Sequence, residues 1–195
     1  YSLMTQNLKL TLFENRINPN YLMKGIRLSL NNLDLFDSQI KSTLNSDSLD
    51  KIKIMFPMIS TIEDYLEAKE FVNKIAKDLN VESPPMGIMV ETPSSAFIAD
   101  KFSEIVDFIS IGTNDLPQYI MAADRGNSNL SHYHDSLHPS VLRAISNVID
   151  CCNANNIEVS VCGEMSSDPV SALALYILGL KTFSMAPSAA PFVFD

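Results

Sequence analysis

Basic residues are in short supply: fourteen lysines and arginines face twenty-three aspartates and glutamates, for a formal charge of −9. Such a surface repels nucleic acid, and no basic stripe with interleaved aromatics offsets it. An anionic ligand must then be held by local cations and metal. Apolar runs of membrane-spanning length are missing, and so is a basic-then-apolar leader, which reads as a soluble cytoplasmic protein with no membrane partner. The sequence opens on Tyr1 rather than Met, which leaves an upstream targeting segment open. The three cysteines, Cys151, Cys152 and Cys162, lack zinc-ligand spacing, and an odd number without a leader suits reduced thiols in a cytosol. Internal repeats and low-complexity tracts are also missing. What is present is globular: 195 residues, 46% hydrophobic and 19% charged, suffice for one compact domain with a substantial core.

After about residue 50, short apolar runs alternate with amphipathic segments, the pattern of a mostly parallel sheet. Lys53 to Ile59 is too apolar for a half-exposed strand and suits one buried on both faces. Ile62 to Leu79 has apolar residues at helical spacing, with Ser60 or Thr61 as N-cap and Glu63 and Asp64 in the first turn. Strands are predicted over 86–90, 106–111, 157–162 and 182–185, and helices over 94–105, 139–155 and 168–178. Upstream, 26–30 is predicted as a strand and 35–44 as a helix, while 1–20 shows no period. The expectation is an α/β fold, a (β/α)8 TIM-type barrel that is incomplete. Five or six strands are counted where a closed barrel has eight, so N-terminal strands are missing and the chain reads as one partial domain, a fragment.

In a parallel barrel, function sits where strands end. Here those ends carry Glu91, Asn114 with Asp115, and Cys162 with Glu164. Two carboxylates from neighbouring strand ends suit one Mg2+, with substrate phosphate filling other positions. Gly112 lets the backbone approach a ligand. Arg125 is placed to return over the site, where its planar fork matches a carboxylate or phosphate. Each residue also has a plainer reading: Glu91 as a loop residue or cap, Cys162 as a small buried hydrophobe, Asn114-Asp115 as turn chemistry. Cys151 and Cys152, on a predicted helix, read as core. Only the conjunction of polar strand ends on one rim favours a site.

Ile54-Met-Phe-Pro-Met58, Gly87-Ile-Met-Val-Glu-Thr-Pro93, Phe108-Ile-Ser-Ile-Gly-Thr-Asn-Asp-Leu116, Gln118-Tyr119, Asp124-Arg-Gly-Asn127, His138-Pro139, Cys162-Gly-Glu164 and Phe183-Ser-Met185 occur in that order. Together they resemble the signature series of the enzyme I family of bacterial sugar phosphotransferase systems, in its C-terminal phosphoenolpyruvate-binding barrel. Asn18-Pro19 with Gly25-Ile-Arg27 extends the likeness upstream. The same barrel occurs in pyruvate phosphate dikinase and phosphoenolpyruvate synthase, but the wording is nearer enzyme I, and Asp135-Ser-Leu-His-Pro139 resembles its nitrogen-related branch. The resemblance implies that Glu91 and Asp115 ligate Mg2+, that Asn114 and Arg125 hold phosphoenolpyruvate, and that Cys162 protonates the enolate carbon as pyruvate forms. It also implies a homodimer, and a phosphocarrier protein served by the full-length parent.

Departures from the pattern matter. Lys24 and Lys53 stand where the family has arginines, so they keep charge at the substrate but lose bidentate geometry. A third phosphate-binding arginine and the phosphorylatable histidine have no counterpart here. His132, His134 and His138 match no acceptor motif and read as structural or surface residues. Pro117 replaces the usual polar residue and is expected to alter the loop that carries Asp115. The expected function is the substrate-binding portion of a phosphoenolpyruvate-protein phosphotransferase, inactive as an isolated segment. The competing reading is a degenerate module that senses phosphoenolpyruvate or dimerises; an aldolase or lyase acting on pyruvate-like enolates comes third.

Overall fold

The computed structural model describes residues 7–9 and 23–194, so the predicted region without period, 1–20, lies outside the described residues apart from Asn7–Lys9. The chain divides into two compact units, Tyr1–Ile88 and Met89–Asp195.

In the first unit, β1 (Asn7–Lys9) pairs in parallel with β2 (Lys53–Phe56). Next, β2 pairs in parallel with β3 (Met86–Val90), from Ile54 opposite Met86 to Phe56 opposite Ile88. Three helices accompany them: α1 (Ile26–Leu30), α2 (Leu33–Leu44) and α3 (Ile62–Leu79). The boundaries of α3 follow from its ends. Thr61 Oγ1 accepts from Asp64 N at 3.2 Å while Asp64 Oδ2 accepts from Thr61 N at 3.0 Å, a reciprocal cap. At the other end Asn80 adopts φ 55°, which a short amide side chain tolerates and a helix does not. Tyr65, Ala68, Val72 and Ile75 form the buried stripe of α3, and the Tyr65 hydroxyl donates to Met86 O at 3.3 Å. Phe36 of α2 stacks on Phe71 of α3 at 4.9 Å.

Two expectations for this unit are corrected. The segment 26–30 is a helix, not a strand: Gly25, at φ 59°, turns the chain, and Ile26 N donates to Pro57 O at 3.0 Å rather than entering a ladder. Ile26 and Ser29 then face the core together, three residues apart. The strand begun at Lys53 stops at Phe56, because Pro57 has no N–H to extend the pairing and Met58 turns to φ 61°.

In the second unit, β4 (Phe108–Gly112) pairs in parallel with β5 (Glu158–Cys162), from Phe108 opposite Glu158 to Gly112 opposite Cys162. β5 pairs in parallel with β6 (Thr182–Phe183). Every residue of β4 is buried, as a strand covered on both faces requires. The predicted helix over 94–105 is interrupted: α4 (Pro93–Phe97) and α5 (Ala99–Phe102) meet at Ile98, whose φ −108° and ψ 29° leave helical geometry. Further along come α6 (Asp115–Ile120), α7 (Pro139–Ala154), α8 (Pro169–Ile177) and α9 (Ala190–Phe194). Prolines open α4, α7 and α8, where a missing N–H costs nothing.

Every strand pair described is parallel, and strands alternate with helices along the chain. The fold is α/β of the (β/α) barrel type, with six strands among the described residues where a closed barrel has eight.

Candidate functional site

The parallel register of β4 and β5 sets Gly112 level with Cys162, so the residues following each strand share one edge. Thr113 joins them: its backbone N and its Oγ1 both donate to Cys162 O, at 3.1 and 2.8 Å. Asn114 Oδ1 accepts from Glu164 N at 2.9 Å. A backbone N–H can only donate, so the amide oxygen must face it, and the two donors of Nδ2 point elsewhere. Gly163 sits at φ 103°, and a Cβ there would stand 2.6 Å from Thr113 Oγ1 and 2.7 Å from Asn114 Oδ1. The Cys162 thiol is half-buried and donates to Ile111 O at 3.7 Å.

Glu91 follows β3 directly and is 2% exposed. A Cβ at Gly112 would lie 3.0 Å from the Cβ of Glu91 and 3.1 Å from Met89 Sδ. Gly112 therefore makes room for Glu91 and Met89. Asp115 opens α6, and its Oδ1 accepts from Gln118 Nε2 at 3.2 Å. Gln118 Oε1 in turn accepts from the backbone N of Arg125 at 3.0 Å. Pro117 lies buried in the first turn of α6, where no N–H has a helical partner to lose, so it fits the helix that carries Asp115.

Around these groups opens a cleft of about 250 Å³, lined by Thr113, Asn114, Gln118, Arg125, His134 and Glu164, with Pro117, Ser136 and Met165. Arg125 is exposed. The cleft thus brings Asn114 and Arg125 together; Asp115 reaches it through Gln118, and Cys162 through Thr113. Glu91 is held behind Gly112. Lys24 and Lys53 belong to the first unit, each half-buried, with Lys53 opening β2 at its amino end. A larger groove of about 420 Å³, lined by Pro93, Ala96, Phe97, Ile120 and Ala144 among others, is mostly apolar and holds none of the strand-end residues.

The sequence reading gave no role to Thr113 or Gln118. A buried glutamine three residues after a strand-end aspartate is the signal that points to Gln118. His134, read as structural or surface, is half-buried, with Nε2 3.2 Å from Asp124 O. His138 is structural: its Nδ1 accepts from Ser140 N at 3.3 Å at the start of α7. Cys152 is fully buried, and burial, then its neighbour Cys151, pushes its thiol up to about 12. Cys151 is only half-buried, and burial raises its thiol as well, followed by Asp100 and Asp150.

Among the described residues, no three His, Cys, Asp or Glu side chains form a metal cluster. Mg2+ does not require one, since it keeps waters and takes one or two carboxylates plus substrate oxygens. The buried Glu91 and the hydrogen-bonded Asp115, both hard oxygen donors, fit that chemistry. Among the described residues, no helix is long and apolar enough to cross a membrane.

Fold and strand ends together define a barrel-type domain with its polar groups gathered at the carboxyl edge. The chain belongs to the family "PEP-utilising enzyme, PEP-binding domain", whose model matches residues 4–193. It is 40% identical over 183 residues to the phosphoenolpyruvate-protein phosphotransferase of Mycoplasma capricolum subsp. capricolum, covering 91% of this chain and 32% of that protein. With the protein of the same description from Haemophilus influenzae, identity is 38% over 181 residues, covering 90% and 32%. The chain thus spans about a third of the length of these curated relatives. Among solved structures, a Haloferax volcanii malate synthase superposes with a TM-score of 0.65 at 12% identity, over 84% of this chain and 50% of that one. A citrate lyase from Burkholderia xenovorans gives 0.58 at 21% identity, over 72% and 47%. At such identities these two structures speak for the barrel fold alone.

Proposed function

We propose that this chain is the substrate-binding portion of a phosphoenolpyruvate-protein phosphotransferase. The observation that carries the reading is the cleft in which the Asn114 amide and the Arg125 chain meet, with Asp115 tied to the same turn through Gln118. Arg125 pairs with the carboxylate or phosphate, and Asn114 donates through Nδ2. Glu91 and Asp115 would hold Mg2+, which when bound spreads charge off the phosphoryl oxygens. The ester P–O bond breaks as a P–N bond forms to a histidine outside this chain. The enolate left behind takes the Cys162 thiol proton on its terminal carbon, giving pyruvate, and water returns the proton to sulfur. The parent protein then passes the phosphoryl group to a phosphocarrier protein, acting as a cytoplasmic homodimer of the sugar or nitrogen branch.

The test is calorimetric titration of phosphoenolpyruvate into the chain with and without Mg2+, repeated with Asp115→Ala. Binding that needs Mg2+ and weakens at least about tenfold in the variant is expected. Equal binding with and without metal would sink the reading.

The lysines at 24 and 53 favour a second reading, a module that binds phosphoenolpyruvate without turnover. Detection of a phosphorylated histidine in the full-length parent would end it.

A further inference from the structure

Gln118 makes three hydrogen bonds that no single structural role demands. Its carbonyl oxygen accepts from Ala123 N at 2.9 Å, closing the end of α6. Its side-chain Oε1 accepts from Arg125 N at 3.0 Å, and its Nε2 donates to Asp115 Oδ1 at 3.2 Å. The amide orientation follows from chemistry: Arg125 N–H needs an acceptor and the carboxylate needs a donor, and only one orientation supplies both. The side chain is 7% exposed, so neither bond is traded readily for water. Between the helix and Arg125 the chain turns sharply, with Ala122 at φ 51°. Asp124 Oδ1 accepts from Gly126 N at 2.8 Å just beyond. The turn is thus braced on both sides of Arg125, and the brace on the helix side is the residue that also orients Asp115.

We propose that Gln118 is a positioning residue that locks the Asp115 carboxylate to the turn carrying Arg125, so that cation and anion are gripped in one geometry. This rests on the roles proposed above for Asp115 and Arg125. Hydrogen-bonded partners behind a ligating carboxylate fix its direction and support metal affinity. Here the same amide also fixes the backbone from which the guanidinium reaches the cleft. Metal held at Asp115 therefore stiffens the Arg125 turn, although Arg125 donates nothing to the metal.

Two measurements on the 195-residue chain test this. The first follows amide hydrogen exchange at Arg125, with and without Mg2+, in the unmutated chain and in Gln118→Met, which keeps the volume but neither bond. Mg2+ is expected to slow Arg125 exchange in the unmutated chain, and the variant is expected to exchange faster and ignore Mg2+. The second follows Mn2+ binding by electron paramagnetic resonance without phosphoenolpyruvate, where Gln118→Met is expected to bind about tenfold more weakly. A glutamine that only braces the turn would change exchange but leave Mn2+ affinity intact, and that result overturns the proposal. So do exchange rates indifferent to Mg2+ in the unmutated chain, or no Mn2+ binding at all. If Gln118→Met does not fold, the unmutated chain alone decides through its response to Mg2+. Should the metal results hold while phosphoenolpyruvate fails to bind, the functional reading falls and the role of Gln118 stands.

Discussion

A side chain at position 163 has nowhere to go. The backbone there occupies a region open to glycine, and the first carbon added meets Thr113 Oγ1 at 2.6 Å and Asn114 Oδ1 at 2.7 Å. Neither oxygen yields cheaply, because Thr113 holds the Cys162 carbonyl and Asn114 holds the Glu164 amide. Gly163→Ala is expected to destabilise the chain by about 1–3 kcal/mol, read from urea unfolding. An unchanged midpoint would mean that the turn relaxes freely and that the Cys162 corner is not braced as described. Single residues were also where the sequence was least informative. Gln118 stood in plain view beside Asp115, yet its partner is an amide seven residues on, which only the turn at Ala122 brings back.

Elements were readable where two local signals agreed. The span of α3 was correct at both ends because the helical stripe stops where Thr61 and Asn80 supply its caps. The apolar run 86–90 was correctly taken as a strand because Pro84-Pro85 before it and Pro93 after it confine it. By contrast, 26–30 is too short to reveal its period, and the break at Ile98 leaves the apolar spacing of 94–105 intact. At this scale α8 offers a pH test. Asp168 caps it, accepting from Ser171 N at 2.8 Å, and its carboxyl is held below the usual carboxylate range by the Ser171 hydroxyl and amide. A carboxylate whose folded pKa is depressed stabilises the fold above its unfolded pKa and loses that contribution as pH falls through the folded value. Asp168→Ala should therefore be less stable than the unmutated chain at neutral pH. The gap should narrow only below about pH 4, as denaturant midpoints across pH would show. Asp168→Asn, which keeps an uncharged acceptor, should show a smaller gap at neutral pH and lose it over the same pH window.

Across the whole molecule the three thiols sample different degrees of protection. Cys152 is fully buried with its thiol pushed up to about 12, so native alkylation there must wait for an opening of the surrounding packing, while the half-buried Cys151 and Cys162 are reached more readily. Peptide mapping after iodoacetamide treatment should find Cys152 labelled last, accelerating with denaturant. Labelling at the same rate as Cys151 in native buffer would contradict the packing of α7 against its neighbours. The third thiol has a different consequence. The Cys162 thiol donates to Ile111 O, a carbonyl of the adjacent strand. Under the proposed chemistry the thiol proton must leave this carbonyl before an enolate can take it, and a turn about the Cβ–Sγ bond suffices to re-aim it. If Cys162 is the acid, its own sheet would hold the proton until that torsion turns.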